Sequence, residues 1–301
     1  MAAMVVATAC GNLSNEDVRF LAALPRASEM HVAVPASAAS SALTSCTIGS
    51  AAEWKKAKDA GVGINAAIDG VLALIDRVRS VSPSRRETDL RVWGPFADGN
   101  HPGVSWQVSI LRFPPPPGAK SAEAWLYSFE GFRAGVGWKT VLDGSFYGGQ
   151  SRNGLGELTL HFDASAALGT NEPGDPTVPM TIHYDLSGDP RTVQLDVGQG
   201  GALGLDPFQY FYAGYATGSG RFEYAFTDAG GNHLVIRSGF TPSGSGQATI
   251  SWRTSAGATA SVSECWDDAA CLSYVLDPAL VTTYCSGMSS CGAAAACPAV
   301  P

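Results

Sequence analysis

Met180-Thr181-Ile182-His183-Tyr184-Asp185-Leu186-Ser187 decides the fold. Met180, Ile182, Tyr184 and Leu186 occupy every second position, and polar residues fill the gaps. Successive side chains of a strand point to opposite faces of its sheet, so this alternation marks a strand with one buried face. The pattern recurs on both sides: over 104–110 and 157–163 upstream, and over 193–197, 221–227 and 247–253 downstream. Turn signals separate the segments: Asp98-Gly99-Asn100, Gly148-Gly149, Ser187-Gly188-Asp189-Pro190, Gly230-Gly231-Asn232 and Ser243-Gly244-Ser245-Gly246. Connections this short suit hairpins between antiparallel neighbours, whereas a parallel sheet needs crossover helices. No helical pattern interrupts 88–262. The expectation is a mainly β (α+β) protein: about ten strands in a curved antiparallel meander, half-barrel or barrel-like, packed on one N-terminal helix.

That helix reads over 51–80, with Ser50 as cap and Ile64, Ile68, Val71, Leu72, Ile75 and Val78 forming an apolar stripe at helical spacing. A shorter helix opens at Leu13-Ser14-Asn15-Glu16-Asp17-Val18. Ser14 suits the cap, Asp17 its third helical position, and Leu13 with Val18 a hydrophobic staple; Pro25 stops it. The Ala- and Ser-rich stretch before Ser50 reads as a linker that Cys46 ties to the body. After Val262 the alternation fades. The expected organisation is a signal-peptide remnant at 1–9, a tether with the short helix at 10–50, the helix and β body at 51–262, and a cysteine-rich cap at 263–301. The cap is expected to be irregular, with one short helix and a low-complexity, disordered tail from Gly287.

The net charge is −8 and the pI about 5.1, with charged residues at 15%. No basic stripe exists to neutralise phosphates, which argues against a nucleic-acid partner. Of seven cysteines, Cys46, Cys265, Cys271, Cys285, Cys291 and Cys297 make an even set without zinc or redox spacing. They read as disulfide partners in an oxidising compartment, with fifteen pairings open. No run of about 18 apolar residues follows the N-terminus, so no spanning helix is expected.

Met4-Val5-Val6-Ala7-Thr8-Ala9-Cys10-Gly11-Asn12 resembles the end of a bacterial lipoprotein signal peptide: an apolar run, small residues before a cysteine, and Gly after it. The resemblance implies diacylglycerol on the Cys10 thiol, cleavage before Cys10, and a membrane tether made of acyl chains. Gly11 in place of Asp implies the outer membrane, at its periplasmic face or the cell surface.

Three readings of function remain. No G-x-S-x-G elbow, H-E-x-x-H pair or P-loop is present, so a non-catalytic envelope protein that binds a lipid or glycan, or plays a structural part, comes first. No cofactor is expected. The aromatics Phe208, Tyr210, Phe211, Tyr212 and Tyr215 fall on both faces of their strand and are the candidate ligand surface. Second is a hydrolase of envelope glycans or esters, with Glu123, Glu130, Glu157 and Glu223 available as carboxylates in a sheet groove. The third comes from an internal echo, Thr159-Leu160-His161-Phe162-Asp163 and Thr181-Ile182-His183-Tyr184-Asp185. In a hairpin where His161 faced His183, Asp163 and Asp185 would complete a zinc-like donor set.

Overall fold

The computed structural model describes residues 13–33, 46–115, 117, 123–148, 154–171, 178–198, 208–227 and 230–301. Cys10 and the expected signal remnant lie outside the described residues, as does most of the linker before Cys46. Three helices come first: α1 (Asn15–Ala22), α2 (Ala27–Met30) and α3 (Ala52–Asp76), the last running into a 3-10 turn at Arg77–Ser80. Five strands follow: β1 (Arg85–Arg86), β2 (Leu90–Ala97), β3 (Val104–Phe113), β4 (Ala124–Arg133) and β5 (Gly137–Tyr147). After β6 (Leu155–Leu160) comes a short helix, α4 (Phe162–Leu168). Next are β7 (Met180–Asp185), β8 (Arg191–Val197), β9 (Phe208–Gly214), β10 (Gly220–Thr227), β11 (His233–Phe240) and β12 (Gly246–Arg253). The chain closes with β13 (Thr259–Trp266), β14 (Leu272–Leu276) and β15 (Ser290–Gly292).

The fifteen strands form one antiparallel sheet in which spatial order equals sequence order. The expected meander is therefore present, with more strands than the alternation suggests. Two expectations are corrected here. The sheet does not stop near Val262, because β13 continues to Trp266, and β14 and β15 extend it. Glu264 hides this continuation: it occupies a core-facing position, paired across the sheet with Ala248, and so breaks the apolar rhythm. Nor is the tail from Gly287 structureless. It supplies β15 and a 3-10 turn at Ala294–Ala296, and its Val300 packs within 2.6 Å of where a Cβ on Gly239 would stand.

All six body cysteines pair, as Cys46–Cys271, Cys265–Cys297 and Cys285–Cys291. Among the described residues no helix is long and apolar enough to cross a membrane.

The short helix forms as its sequence implies. Ser14 Oγ accepts the Asp17 N–H (3.1 Å) while the Asp17 carboxylate accepts the Ser14 N–H (2.9 Å), closing a capping box. Val18, expected to staple onto Leu13, is instead 52% exposed. Along α3 the stripe residues Ile64, Ile68, Leu72 and Ile75 are buried, as is Val78 beyond it; the side chain of Val71 lies outside the described set. They join one continuous core with the inward residues of the strands. Phe20 of α1 meets Trp125 edge-on (5.0 Å), and Trp54 at the start of α3 stacks on Trp266 (5.1 Å) between Phe222 and Phe240. The N-terminal end of α3 is tied to the β13–β14 turn by Cys46–Cys271, by Ala51 N–H donating to Ala270 O (3.0 Å) and by Leu272 N–H donating to Gly49 O (2.9 Å).

Candidate functional site

Asp98 closes the turn between β2 and β3, and its side chain does more than shape that turn. One carboxylate oxygen accepts the backbone N–H groups of Asn100 (2.8 Å) and His101 (3.3 Å), the turn chemistry expected of Asp. The other accepts the indole N–H of Trp106 (2.7 Å) and meets Nδ1 of His101 (2.9 Å). Burial pushes Asp98 up, but the Asn100 N–H, the His101 ring, the Trp106 indole and the His101 N–H outweigh it and hold the carboxyl at about 2. The Trp106 ring in turn stacks on Phe129 of β4 (4.9 Å).

At the same end of the sheet α4 covers β4 and β5. Gly131 permits the approach, since a Cβ there would stand 2.4 Å from Leu168 Cδ1 and 2.5 Å from the Trp106 ring. Arg133 donates to the carbonyl of Leu168, and Gly169 ends α4 in the left-handed region (φ 66°). His161, just before α4, hydrogen-bonds the Asp143 carboxylate of β5 through Nε2.

These elements enclose a pocket of about 280 Å³. Phe96, Trp106, Val108, Phe129, Leu160 and Phe162 wall it, with Ala73 of α3 and Val78 of the 3-10 turn that follows. Asp98, Asn100, His101, His161, Ser165 and Thr170 supply its polar groups.

Of the candidate metal and ligand residues named from sequence, His161 is the one that lines this pocket. It does not face His183: β6 pairs with β7 so that Glu157 lies opposite His183 and Thr159 opposite Thr181. His183 Nδ1 sits 3.0 Å from Glu157, with Asp196 3.7 Å from its other nitrogen. The echo fails because its first copy leaves the strand at His161, so that Phe162 and Asp163 begin α4. Asp185 is occupied in its own turn, accepting the Ser187 N–H (2.9 Å) and hydroxyl (2.6 Å). Among the described residues no group of three or more His, Cys, Asp or Glu is placed to hold a metal.

The aromatic set divides by strand face. Tyr210 and Tyr212 are core, Phe208 is half-buried beside Tyr224 (5.8 Å), and Phe211 turns outward under the Arg221 guanidinium (5.6 Å). Tyr215 begins the β9–β10 turn, where its N–H donates to Ser219 O (3.0 Å) and its carbonyl accepts the Gly218 N–H (2.9 Å). The four glutamates stand on separate elements: Glu123 pairs with Arg19, Glu130 accepts from Gln107 (2.7 Å), Glu157 meets His183, and Glu223 pairs with Arg237 (2.9 Å). The residues that build the pocket are spread over five strands and two helices. Asp98-Gly99-Asn100 was legible only as a turn. Nothing local ties His101 to Phe129 or Phe162.

Compared with family models, curated proteins and solved structures, the chain matches none.

Proposed function

We propose that this protein is an envelope lipoprotein, tethered by lipid on Cys10, whose body binds a small apolar or amphiphilic molecule beneath α4. The observation that carries the reading is the pocket itself: aromatic and aliphatic walls with a few polar groups among them, as small-molecule sites are built. Those apolar walls favour a lipid-like ligand over a glycan. Size narrows it further. Ligand pockets commonly span about 300–1,000 Å³, so a volume of about 280 Å³ suits one short chain or one ring and excludes a whole phospholipid. Three disulfides fit an oxidising, extracytoplasmic location, which supports the envelope part of the reading.

Mass spectrometry of the protein purified from its own membrane tests both halves. The expected spectrum shows an acylated Cys10 and a small co-purifying amphiphile that Ser165→Phe, at the half-exposed lip of the pocket, displaces. An unmodified thiol would overturn the tether. Ligand retained in the Ser165→Phe protein would overturn the pocket.

A further inference from the structure

Two of the chain's five histidines line this one pocket, and each gives one ring nitrogen to an aspartate. For His101 the bonded nitrogen is Nδ1, and its partner Asp98 is an ionised carboxylate that already accepts from an indole and two backbone N–H groups. An ionised carboxylate accepts only, so the ring proton must sit on Nδ1. In the neutral imidazole the other nitrogen, Nε2, is then a lone pair. His161 is arranged in the opposite sense with the same result: Nε2 is turned to Asp143, which leaves Nδ1 as the lone pair. The Thr170 hydroxyl is spent inside the loop, donating to the Ser165 carbonyl (3.2 Å).

We propose that the pocket selects an amphiphile whose polar end donates a hydrogen bond, an alcohol in the simplest case, with Nε2 of His101 and Nδ1 of His161 as the acceptors. This rests on the ligand-binding reading above. Asp98 and Asp143 act as positioning residues, since they fix which nitrogen carries the proton; Asp98 also reaches the pocket lining, as an acceptor that favours a donor in the same way. A ligand without a donor leaves both lone pairs desolvated and unmatched, a loss worth at least about tenfold in affinity. A carboxylate fares worse, because it meets lone pairs with further lone pairs.

The test uses the full chain at pH 8, with tryptophan fluorescence and calorimetry reporting the binding of octan-1-ol, its methyl ether and octanoate. The ether is the more apolar of the first two, so preference for the alcohol cannot come from the walls. Expected is binding of the alcohol at least about tenfold tighter than of the ether, with octanoate weakest. His101→Phe combined with His161→Phe should erase the preference for the alcohol over the ether. Asp98→Asn removes the carboxylate that holds the ring proton of His101 on Nδ1 and, with His161 still held by Asp143, should narrow the preference for the alcohol. Should that variant fail to fold, the double histidine variant decides alone. Equal binding of alcohol and ether by the unaltered protein, or a preference that survives loss of both histidines, would sink the proposal and leave the pocket standing. Failure of all three probes to bind, or binding unaffected by Ser165→Phe, would overturn the pocket reading itself.

Discussion

Asp17 and Glu264 are both carboxylates at 1% exposure or less, yet they are pushed in opposite directions. Burial raises Asp17, but the Ser14 N–H, Arg91 (2.8 Å), the Ser14 hydroxyl and Arg86 (3.1 Å) outweigh it and hold the group at about 2. A carboxyl depressed from 3.8 stabilises the fold above that value and loses the contribution as pH falls towards 2. The shift corresponds to about 2 kcal/mol. Asp17→Asn should remove that much at pH 7, read by urea unfolding, and should flatten the acid limb of the stability curve between pH 4 and 2. An unchanged acid limb would show that these contacts are not maintained in solution. Glu264 takes backbone N–H groups at the start of α3, Trp54 (2.9 Å) and Glu53, while its other oxygen finds no hydrogen-bond partner among the described residues. Burial dominates over the Trp54 and Glu53 N–H groups and lifts it from 4.5 to about 7, with the Glu53 charge adding to the rise and Lys56 opposing it. Here the sign reverses. The contribution is fully present below pH 4.5 and is lost by pH 7, to a depth on the order of 3 kcal/mol. Glu264→Gln should make the protein more stable than the original at pH 8 and remove the decline between pH 4.5 and 7. A variant less stable at pH 8 would show the ionised carboxylate to be a favourable partner for the start of α3.

At the level of elements, what was legible depended on whether period alone settled the question. The alternation over 180–185 reads as a strand because Ile182 and Tyr184 are buried and His183 is exposed. The stripe of α3 reads equally well, since 25 residues give a helical period room to repeat. By contrast 157–163 keeps the strand rhythm through Asp163, yet the chain leaves the sheet at His161. Seven residues are too few for a helical period to show against that rhythm, and the contacts that make α4 a helix come from Arg133 and Gly131 on another strand. The same physics hid the pocket, whose walls meet only once β2 to β6, α3 and α4 are assembled. Gly131 is the element-scale hinge of this site. Gly131→Ala drives a methyl into Leu168 and Trp106, and overpacking of that kind costs about 1–3 kcal/mol. The expected outcome is a lowered thermal midpoint together with faster proteolysis within 162–168. A midpoint equal to that of the unaltered protein would mean α4 does not rest on β4.

For the whole molecule, the sheet is built from neighbours and the covalent links are not. Every strand from β2 to β14 pairs with the strand before it and the one after, so each local step closes a small loop. Cys46–Cys271 instead spans 225 residues. Restricting the unfolded chain over so long a loop stabilises the fold by about 3–5 kcal/mol. Replacing both cysteines by Ala should lower the unfolding midpoint by an amount of that order, and should do so far more than replacing Cys285 and Cys291, which lie six residues apart. Equal effects would show that loop length is not what the long bridge contributes. The linear order of strands carries a consequence for how the chain is made. A polypeptide emerging from its N-terminal end can add strands one at a time, each finding its partner already in place. The thiol of Cys46 emerges among the first fifty residues, yet its partner follows thirteen strands later. The molecule thus matures in two clocks: hydrogen bonds close as the chain arrives, while the bond that seals α3 against the far side of the sheet waits for Cys271, after β13.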